Sequence, residues 1–536
     1  MKWTERKGTE MGVYLNPGND AFRMSVNDDI YVDKTGLISF VNSRIDKNKR
    51  FICVSRPRRF GKSMAAQMIS AYYDRECNSK ELFHNLDISK DPSFEKHLNA
   101  YDVFFLNIQQ FLSGAGSENN LVTYLQNEIL KEVKMIYSEH ISEDETRLSS
   151  ALATIFSKQT RKNKGFVFII DEWDCVFREC KENHKAQKTY LDFLKDLFKD
   201  RTYVKAAYMT GILPIKKYGT HSALNIFDEF SMTKPGRIAE YVGFTEMEVK
   251  KLCDDYHLDF AEAKRWYDGY RFKHAAHIYN PKSIVDALVE EDFRSYWTST
   301  ETYEALQIYI ELDMYGLREA IVSMLSNSSL EIDTGAFQND MTSFKSRDDV
   351  LTLLVHLGYL AFDEERQSVF IPNKEIRGEF IRAIKNGERP EMVKAIQQSE
   401  RLIEATIRMD EAEVARLIEE VHSANTSPNF YNNEQALRSV IQLAYISRMD
   451  DYVTIHELPS GLGYADLLFL PRKHSKKPAM LIELKWNKSA DGAIAQIKNK
   501  KYMEAIVNYG GEILFVGINY NKESKVHECV IEKCFI

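Results

Sequence analysis

A glycine, a lysine and a serine close the segment RPRRFGKS at residues 56–63. Gly61, Lys62 and Ser63 match the last three positions of the phosphate-binding pattern G-x-x-x-x-G-K-[ST]. In that pattern backbone N–H groups at a helix N-terminus bind phosphate, the lysine binds the β- and γ-phosphates, and the hydroxyl binds Mg²⁺. Arg56 replaces the first glycine, and the proline after it partly compensates by fixing a turn conformation. Alone, the segment is either a nucleotide site or a basic turn that ends in the same three residues.

Two adjacent carboxylates end an apolar segment further along the chain, in FVFIIDEWD at residues 166–174. We expect Asp171 to hold Mg²⁺ through water and Glu172 to polarise the attacking water. The next apolar segment, VKAAYMTG at 204–211, ends near Thr210, which we expect close to the γ-phosphate. Each segment alone would be only a strand with a polar end. Three such features in the right order predict ATP binding, and the intact glutamate indicates hydrolysis.

A second set of polar residues lies in ELPSGLGYADLLFL (457–470) and AMLIELKWN (479–487). Residues two apart on a strand share a face, so Glu483 and Lys485 project together, and Asp466 joins them if the two strands pair. Carboxylates hold a hard cation such as Mg²⁺ or Mn²⁺ through oxygen, and the lysine orients or deprotonates a water. This set predicts metal-assisted phosphodiester cleavage. The alternative is a solvated strand edge, which the surrounding order of helices and strands disfavours.

Further polar residues support the C-terminal set. Glu434, on the predicted helix before the strands, is expected to add a carboxylate to the metal, together with the aspartate and glutamate of the strands. Gln496 lies on the predicted helix after them. Lys498, Lys500 and Lys501 on that helix predict a modest stripe of phosphate contacts.

The elements that position the first set alternate between apolar strands and helices, which predicts an α/β domain over residues 1–235 with a parallel, doubly wound sheet. Its strands are predicted at 51–55, 101–108, 165–171 and 204–211, and its helices include 62–73, 120–137 and 187–199. The first strand, the loop and the helix after it form the context that a phosphate-binding loop requires.

The rest of the chain divides into two further predicted domains. Residues 236–424 read as a helical lid with a winged-helix-like part at 349–373, which is either a nucleic-acid reader or a packing module. We favour packing because its helix carries few arginines or lysines. Residues 425–536 read as a separate small α/β domain, with a helix at 432–448, strands at 452–457, 464–470, 479–485 and 512–519, and a helix at 489–507.

Composition sets the broad class of the protein. The chain has 536 residues, which exceeds one hydrophobic core, and a net charge of −8, which excludes polyanion binding by bulk charge. Its seven cysteines lack the spacing of a zinc ribbon or a disulfide framework. No signal peptide and no membrane-spanning apolar segment is recognisable. We therefore expect a cytoplasmic protein with reduced thiols and no membrane partner.

Several segments together resemble the AAA-ATPase-like proteins of bacteria, which usually carry a PD-(D/E)XK-like nuclease domain at the C-terminus. They are RPRRFGKS, IIDEWD, YVDKTGLI (31–38), WYDGYRF (266–272) and YNPKSI (279–284). The resemblance covers nearly the whole chain and implies that the arginine- and proline-containing loop is the family's own P-loop. It also implies an arginine in the helical lid that senses the γ-phosphate, for which Arg237 is the candidate. Arg58 and Arg59 would neutralise phosphate or a neighbouring subunit's carboxylate, or form an exposed basic turn.

The nuclease resemblance adds two residues to the C-terminal set. Glu457 falls at a family motif position before the S-G-x-G turn, and Gln496 stands where the superfamily often keeps a polar residue. The family commonly has an arginine where this chain has Tyr464. That departure weakens an expected contact with substrate phosphate and leaves metal binding untouched.

The leading hypothesis is therefore an ATP-driven or ATP-gated nuclease that cuts DNA. The alternative is a nucleotide switch or scaffold whose nuclease-like domain only binds a partner or nucleic acid. The intact Glu172 favours the first. The sequence leaves open DNA against RNA, the biological process, and whether the chain forms a homo-oligomer.

Overall fold

The computed structural model describes residues 12–161, 163–215, 224–297, 316–325, 328–338, 344–386, 401–425, 452–460, 463–471, 477–499 and 511–535, with residues 399, 441 and 445. The chain forms two compact units. The first combines residues 1–302 with 331–376, and the second combines residues 303–330 with 377–536.

A five-stranded parallel sheet forms the centre of the first unit, in the order β2-β3-β4-β1-β5. Its strands are β1 (Phe51–Ser55), β2 (Asp102–Asn107), β3 (Phe166–Asp171), β4 (Val204–Gly211) and β5 (Asp228–Phe230). The first four confirm the predicted strands, and the short β5 was not anticipated. β1 and β3 are buried along their whole length, because a parallel sheet covered by helices has no solvent face.

Helices of the first unit pack on this sheet and build its main hydrophobic core. The described α-helices up to residue 198 are Asp20–Val26, Gly36–Asn42, Lys62–Tyr73, Lys80–Phe83, Phe94–His97, Ile108–Gly114, Leu121–Ile136, Leu148–Lys158, Cys175–Glu179 and His184–Phe198. Short 3-10 helices lie at Asp87–Lys90, Glu118–Asn120 and Gly236–Tyr241. The predicted alternation of strands and helices is thus confirmed.

The segment after residue 240 adds small strands and helices to the first unit. Strands β6 (Phe244–Thr245), β7 (Tyr270–Phe272) and β8 (Ala275–Tyr279) form one sheet, in the order β6-β8-β7. The α-helices here are Glu246–Asp255, Phe260–Tyr267, Pro281–Val289 and Arg347–Leu357. The WYDGYRF block is only partly helical. Its helix ends at Tyr267, and Gly269, with φ of 127°, leads into β7 because it adopts a backbone conformation that other residues rarely adopt.

The winged part consists of the helix Arg347–Leu357 and the antiparallel hairpin of β10 (Ala361–Asp363) and β11 (Ser368–Phe370), preceded by the short β9 (Leu330–Glu331). It packs within the first unit, where the Tyr270 hydroxyl donates to the carbonyl of Gly358 at 2.6 Å. This contact supports the packing interpretation. The residues of the predicted middle domain, 236–424, belong partly to each compact unit. The three predicted domains and their boundaries stay a prediction.

The second unit contains a five-stranded mixed sheet in the order β12-β13-β14-β15-β16. Its strands are β12 (Tyr452–Ser460), β13 (Gly463–Pro471), β14 (Ala479–Trp486), β15 (Glu512–Asn521) and β16 (Val526–Phe535). Its described helices include Leu317–Leu325, Glu411–Asn425 and Ala490–Asn499, and residues 401–407 are also helical. The chain passes from the first unit to the second within the helix Lys374–Asn386. Only β14 and β15 are parallel, joined through the helix Ala490–Asn499. β16 was not predicted, and the predicted helix 432–448 lies outside the described ranges except for residues 441 and 445.

Two further expectations concern the chain as a whole. All seven cysteines are unpaired in the structure, and their reduced state stays a prediction. No helix of the described part of the chain has the length and apolar character needed to cross a membrane.

Candidate functional site

The loop between β1 and the helix Lys62–Tyr73 has the geometry of a phosphate-binding loop. Gly61 caps the helix with φ of 85°, a left-handed conformation, and a Cβ there would meet nothing within 4 Å. Lys62 is buried, and its ammonium donates to the carbonyl of Pro57 at 2.9 Å, so the side chain lies across the loop. The free N–H groups of this helix N-terminus favour an anion.

Arg56, at the position of the missing glycine, is fully buried. Its Nη1 donates to the carbonyls of Ser55 at 2.9 Å and Phe230 at 3.1 Å, and its guanidinium lies 5.1 Å from the ring centroid of Phe272. Its Nε and Nη2 have no hydrogen-bond partner in the described part of the chain. Arg56 therefore braces the loop against β5 and β7, which explains how the first turn closes without glycine.

Asp171 and Glu172 end β3 next to the loop, as the motif predicts. The Ser63 hydroxyl hydrogen-bonds to Asp171, and burial raises the pKa of Asp171 although this bond and the charge of Lys62 lower it. Burial likewise raises the pKa of Glu172, against the charge of Lys62. Burial lowers the pKa of Lys62 itself, against the two carboxylates. One ammonium and two carboxylates thus share a desolvated site.

A cleft of about 700 Å³ collects most of these groups. Its lining includes Gly61, Lys62, Ser63 and Glu172, together with Arg58, Arg59, Asn107 and Arg178. Asn107 ends β2 and accepts from the backbone N–H of Gln110 at 3.1 Å, so its side chain caps a helix. The cleft lies at the carboxyl ends of the parallel strands, where open α/β sheets bind ligands.

Three predicted nucleotide residues are not part of this cleft lining. One is Asp171, which hydrogen-bonds to Ser63 of the lining, and the other two are Thr210 and Arg237. Thr210 is fully buried near the end of β4, between the strands of the two motifs, and its hydroxyl has no partner among the described residues. Arg237 is exposed in the 3-10 helix Gly236–Tyr241. Neither side chain lines the cleft, so their proposed roles near the γ-phosphate remain predictions.

A second cavity, of about 330 Å³, adjoins the cleft at Arg59, Gly61 and Met64. Its lining is mostly apolar and comes from distant parts of the first unit. The lining residues used below are Tyr31, Phe60, Phe244 and Val285. Tyr31 belongs to the YVDKTGLI segment. Val285 directly follows the YNPKSI segment, on the helix Pro281–Val289 that begins within it. Sequence reasoning had matched both segments to a family without assigning them a place.

Sequence reasoning missed two charged residues beside Glu172. Arg178, 7% exposed, donates through Nη2 to Glu172 at 2.5 Å and through Nε to Asp174 at 3.1 Å. Asp174 is fully buried and also accepts from the backbone N–H groups of Ile212 and Leu213, at 3.1 and 2.7 Å. The third carboxylate of the DEWD segment was the available signal for this network.

In the second unit, Glu483 and Lys485 are both buried on β14. The Lys485 ammonium donates to Glu483 Oε1 at 3.0 Å, and the amide of Gln496 donates to the same oxygen. The alternate residues Ala479 and Leu481 pack against the helix Ala490–Asn499, so Glu483 and Lys485 share the face that this helix covers. Of the predicted strand set, the structure thus brings Glu483 and Lys485 together, and Gln496 joins them from the following helix.

The other predicted nuclease residues are placed less completely. Glu434, Lys500 and Lys501 lie outside the described residues. Lys498 pairs with Glu532 at 2.5 Å.

For Glu457 and Asp466 the structure describes the backbone. β12 and β13 pair antiparallel, as do β13 and β14, and Leu467 lies opposite Ile482. One step further along that register, the backbone of Asp466 stands opposite Glu483.

The sequence matches two family models. Residues 18–220 match the model of a predicted AAA-ATPase, and residues 432–529 match the model of the PD-(D/E)XK nuclease superfamily. The chain thus contains an AAA-ATPase-like domain and a PD-(D/E)XK nuclease-like domain. The first match contains the cleft residues described above, and the second contains Glu483, Lys485 and Gln496. A bacterial origin and a cytoplasmic location stay predictions.

Solved structures similar to the chain include a Walker-type ATPase of Pyrococcus abyssi, with 12% identity and a TM-score of 0.35, which covers 66% of this chain and 97% of the other. The ORC2 protein of Aeropyrum pernix, in ADPNP and ADP complexes, has 9% identity, a TM-score of 0.24 and coverage of 66% and 97%. No curated protein matches the sequence significantly.

Proposed function

We propose that the protein binds and hydrolyses ATP in the cleft of its AAA-ATPase domain, and that its PD-(D/E)XK domain cleaves DNA with a divalent metal. The observation that carries the proposal is the meeting of Lys62 and Ser63 with Asp171 and Glu172 at one edge of the sheet. This edge of the sheet therefore offers residues whose chemistry suits binding of phosphate, of a metal ion and of the attacking water.

The residues fit Mg²⁺ because the hydroxyl of Ser63 and the carboxylate of Asp171, two hard oxygen donors, already touch. Mg²⁺ held by them would neutralise charge on the phosphate oxygens. Lys62 would bind the β- and γ-phosphates, and Glu172 would accept the proton of the attacking water. Its raised pKa makes this carboxylate a better base than a solvated glutamate.

The apolar cavity beside Gly61 is proposed to hold the adenine ring. It adjoins the phosphate cleft, and the rings of Tyr31, Phe60 and Phe244 line it. Ligand pockets of this kind are mostly apolar with few polar groups. A nucleotide would thus place its base in one cavity and its phosphates in the other.

In the nuclease domain, Glu483 would hold the metal, with Asp466 and Glu434 proposed as the other carboxylate ligands. The oxygen donors suit a hard cation, and Lys485, which touches Glu483, would orient or deprotonate the water. Gln496 positions Glu483 from the covering helix. Within the described residues no group of three His, Cys, Asp or Glu side chains surrounds a possible metal position.

The test incubates the full chain with linear duplex DNA, single-stranded DNA and a matched RNA, with and without ATP, in Mg²⁺ or Mn²⁺. We expect Lys62→Ala to lower ATP affinity and hydrolysis by roughly tenfold or more, and Asp466→Ala to abolish cleavage. Lys205→Ala, which removes a lysine paired with Asp46 on the same domain, and Glu512→Ala, which removes a carboxylate paired with Lys533 on the nuclease sheet, are the controls.

Each half of the proposal has its own contradicting result. ATP binding that is equal in the wild type and Lys62→Ala would contradict the nucleotide site. ATP binding without metal-dependent cleavage under any condition would exclude the nuclease and leave the nucleotide switch or scaffold. Cleavage of RNA alone would change the substrate class. Cleavage by Lys62→Ala at the wild-type rate would show that ATP does not gate the nuclease.

A further inference from the structure

Arg178 is bound by two carboxylates at once and borders the phosphate cleft. Its Nη2 donates to Glu172 at 2.5 Å and its Nε donates to Asp174 at 3.1 Å. It belongs to the short helix Cys175–Glu179, directly after the segment that contains both acids. The proposed base is therefore held by an arginine.

The two contacts of Arg178 differ in how firmly they are anchored. Asp174 is fully buried and accepts from the N–H groups of Ile212 and Leu213, just after β4, so the Nε end of the guanidinium is fixed. The side chain of Glu172 is 24% exposed at the edge of the cleft, and its backbone has a φ of 52°. The contact with Glu172 is the one that a ligand can replace.

A terminal phosphate is the ligand that suits this guanidinium. The fork of an arginine matches two phosphate oxygens, and a phosphate carries more negative charge than the glutamate it would replace. Arg178, Lys62 and Ser63 line the same cleft, so a phosphate chain held at the loop extends toward Arg178. The charge of Asp174 keeps the guanidinium in place during the exchange.

We propose that Arg178 binds the γ-phosphate of the nucleotide and in doing so releases Glu172 to act as the base. This rests on the proposed ATPase function and adds a residue that distinguishes ATP from ADP. When Glu172 is released, its carboxylate takes a proton from the attacking water. The water oxygen bonds to the γ-phosphorus as the bond to the β-phosphate oxygen breaks, and ADP and phosphate leave.

The test compares binding of ADP and of the non-hydrolysable β,γ-imido analogue of ATP to the full chain, by calorimetry, with steady-state ATP hydrolysis. We expect Arg178→Gln to leave ADP affinity within about twofold while analogue affinity and kcat each fall by roughly tenfold or more. Arg178→Lys should also lose analogue preference, because one ammonium cannot bridge Asp174 and phosphate as a fork does. Arg201→Gln, which removes an arginine paired with Asp196 in the same unit, is the control and should leave every value unchanged.

The outcomes separate this inference from the function on which it rests. If the wild type binds no ADP, the nucleotide site itself is wrong. Suppose instead that the wild type binds ADP, and that Arg178→Gln either lowers the affinities for ADP and the analogue equally or changes neither. Arg178 then only forms a structural ion pair, and the inference is wrong. If Arg178→Gln does not fold, the ratio of analogue affinity to ADP affinity measured for Arg178→Lys decides between the two outcomes.

Discussion

The charged form of Asp171, which the proposed metal binding requires, is unfavourable in its buried position. Burial raises its pKa, although Ser63 and Lys62 stabilise the charged form. A carboxyl group whose pKa is higher in the folded than in the unfolded chain favours folding when protonated. Its ionisation therefore lowers stability as pH rises from the unfolded value through the folded value, and the full penalty is present above the folded value.

We predict that Asp171→Asn raises the melting temperature at pH 7.5 by about 2 °C and removes the stabilisation by Mg²⁺ and ADP. The gain should shrink as pH is lowered toward the ordinary aspartate pKa of 3.8, and it should vanish below that value, where the wild-type carboxyl is protonated in both states. Differential scanning calorimetry across this pH range measures both effects. A gain independent of pH would contradict the electrostatic cause.

Asp196→Asn is the matched control with the opposite sign. Burial would raise the pKa of Asp196, but hydrogen bonds from Ser149 and Arg147 outweigh it and the net shift is downward. Its charged form therefore stabilises the fold above the unfolded pKa, and that contribution is lost as pH falls. The asparagine variant should melt at a lower temperature than the wild type at pH 7.5.

At the scale of elements, the nucleotide site depends on segments far apart in the chain. The helix Pro281–Val289 lines the apolar cavity through Val285, whereas Val289 on the same helix is 62% exposed. Asn280 caps this helix by accepting from the N–H groups of Lys282 and Ser283, so its position is well defined. Substitutions at the two valines therefore separate the effect of filling the cavity from the effect of altering the helix.

We predict that Val285→Trp lowers ADP affinity by roughly tenfold, equivalent to about 1.4 kcal/mol, because the indole occupies the space proposed for adenine. Affinity for inorganic tripolyphosphate should not change, since the phosphate cleft is intact. Titration calorimetry with both ligands measures the difference, with Val289→Trp as the control. An equal loss of affinity for ADP and tripolyphosphate in Val285→Trp would show that the adenine ring does not occupy this cavity.

At the scale of the whole molecule, each compact unit has hydrophobic cores of its own. The parallel sheet of the first unit and the mixed sheet of the second are built from separate clusters of buried residues. Units with separate cores can unfold in separate transitions. The proposed nucleotide site at Lys62 and the proposed nuclease metal site at Glu483 lie in different units.

We predict two calorimetric transitions for the full chain. ADP added without metal should raise the melting temperature of only one of them. At an ADP concentration a hundred times Kd, the gain in unfolding free energy of that unit is about 2.7 kcal/mol. Lys62→Ala should abolish the shift and Glu483→Ala should preserve it. A single transition that moves with ADP in both variants would show that the two units unfold together.

The sequence alone determined the elements and the chemistry that they carry. The apolar strands, the GKS triplet and the DE pair that follow two of them, and the ExK pair on β14 are local patterns, because strand alternation and motif spacing depend on neighbours in the chain. Four parallel strands and the shared face of Glu483 and Lys485 were therefore predictable, whereas the contact of Gln496 with Glu483 was not.

Only the tertiary structure decided how distant residues complete the sites. The burial of Arg56 against Phe230 and Phe272, and the fixing of Asp174 by N–H groups beyond β4, join residues separated by 38 to 216 positions. No local pattern encodes such pairs, because packing of strands and helices brings them together. For the same reason the sequence did not reveal that Arg178 holds Glu172 while Asp174 anchors that arginine.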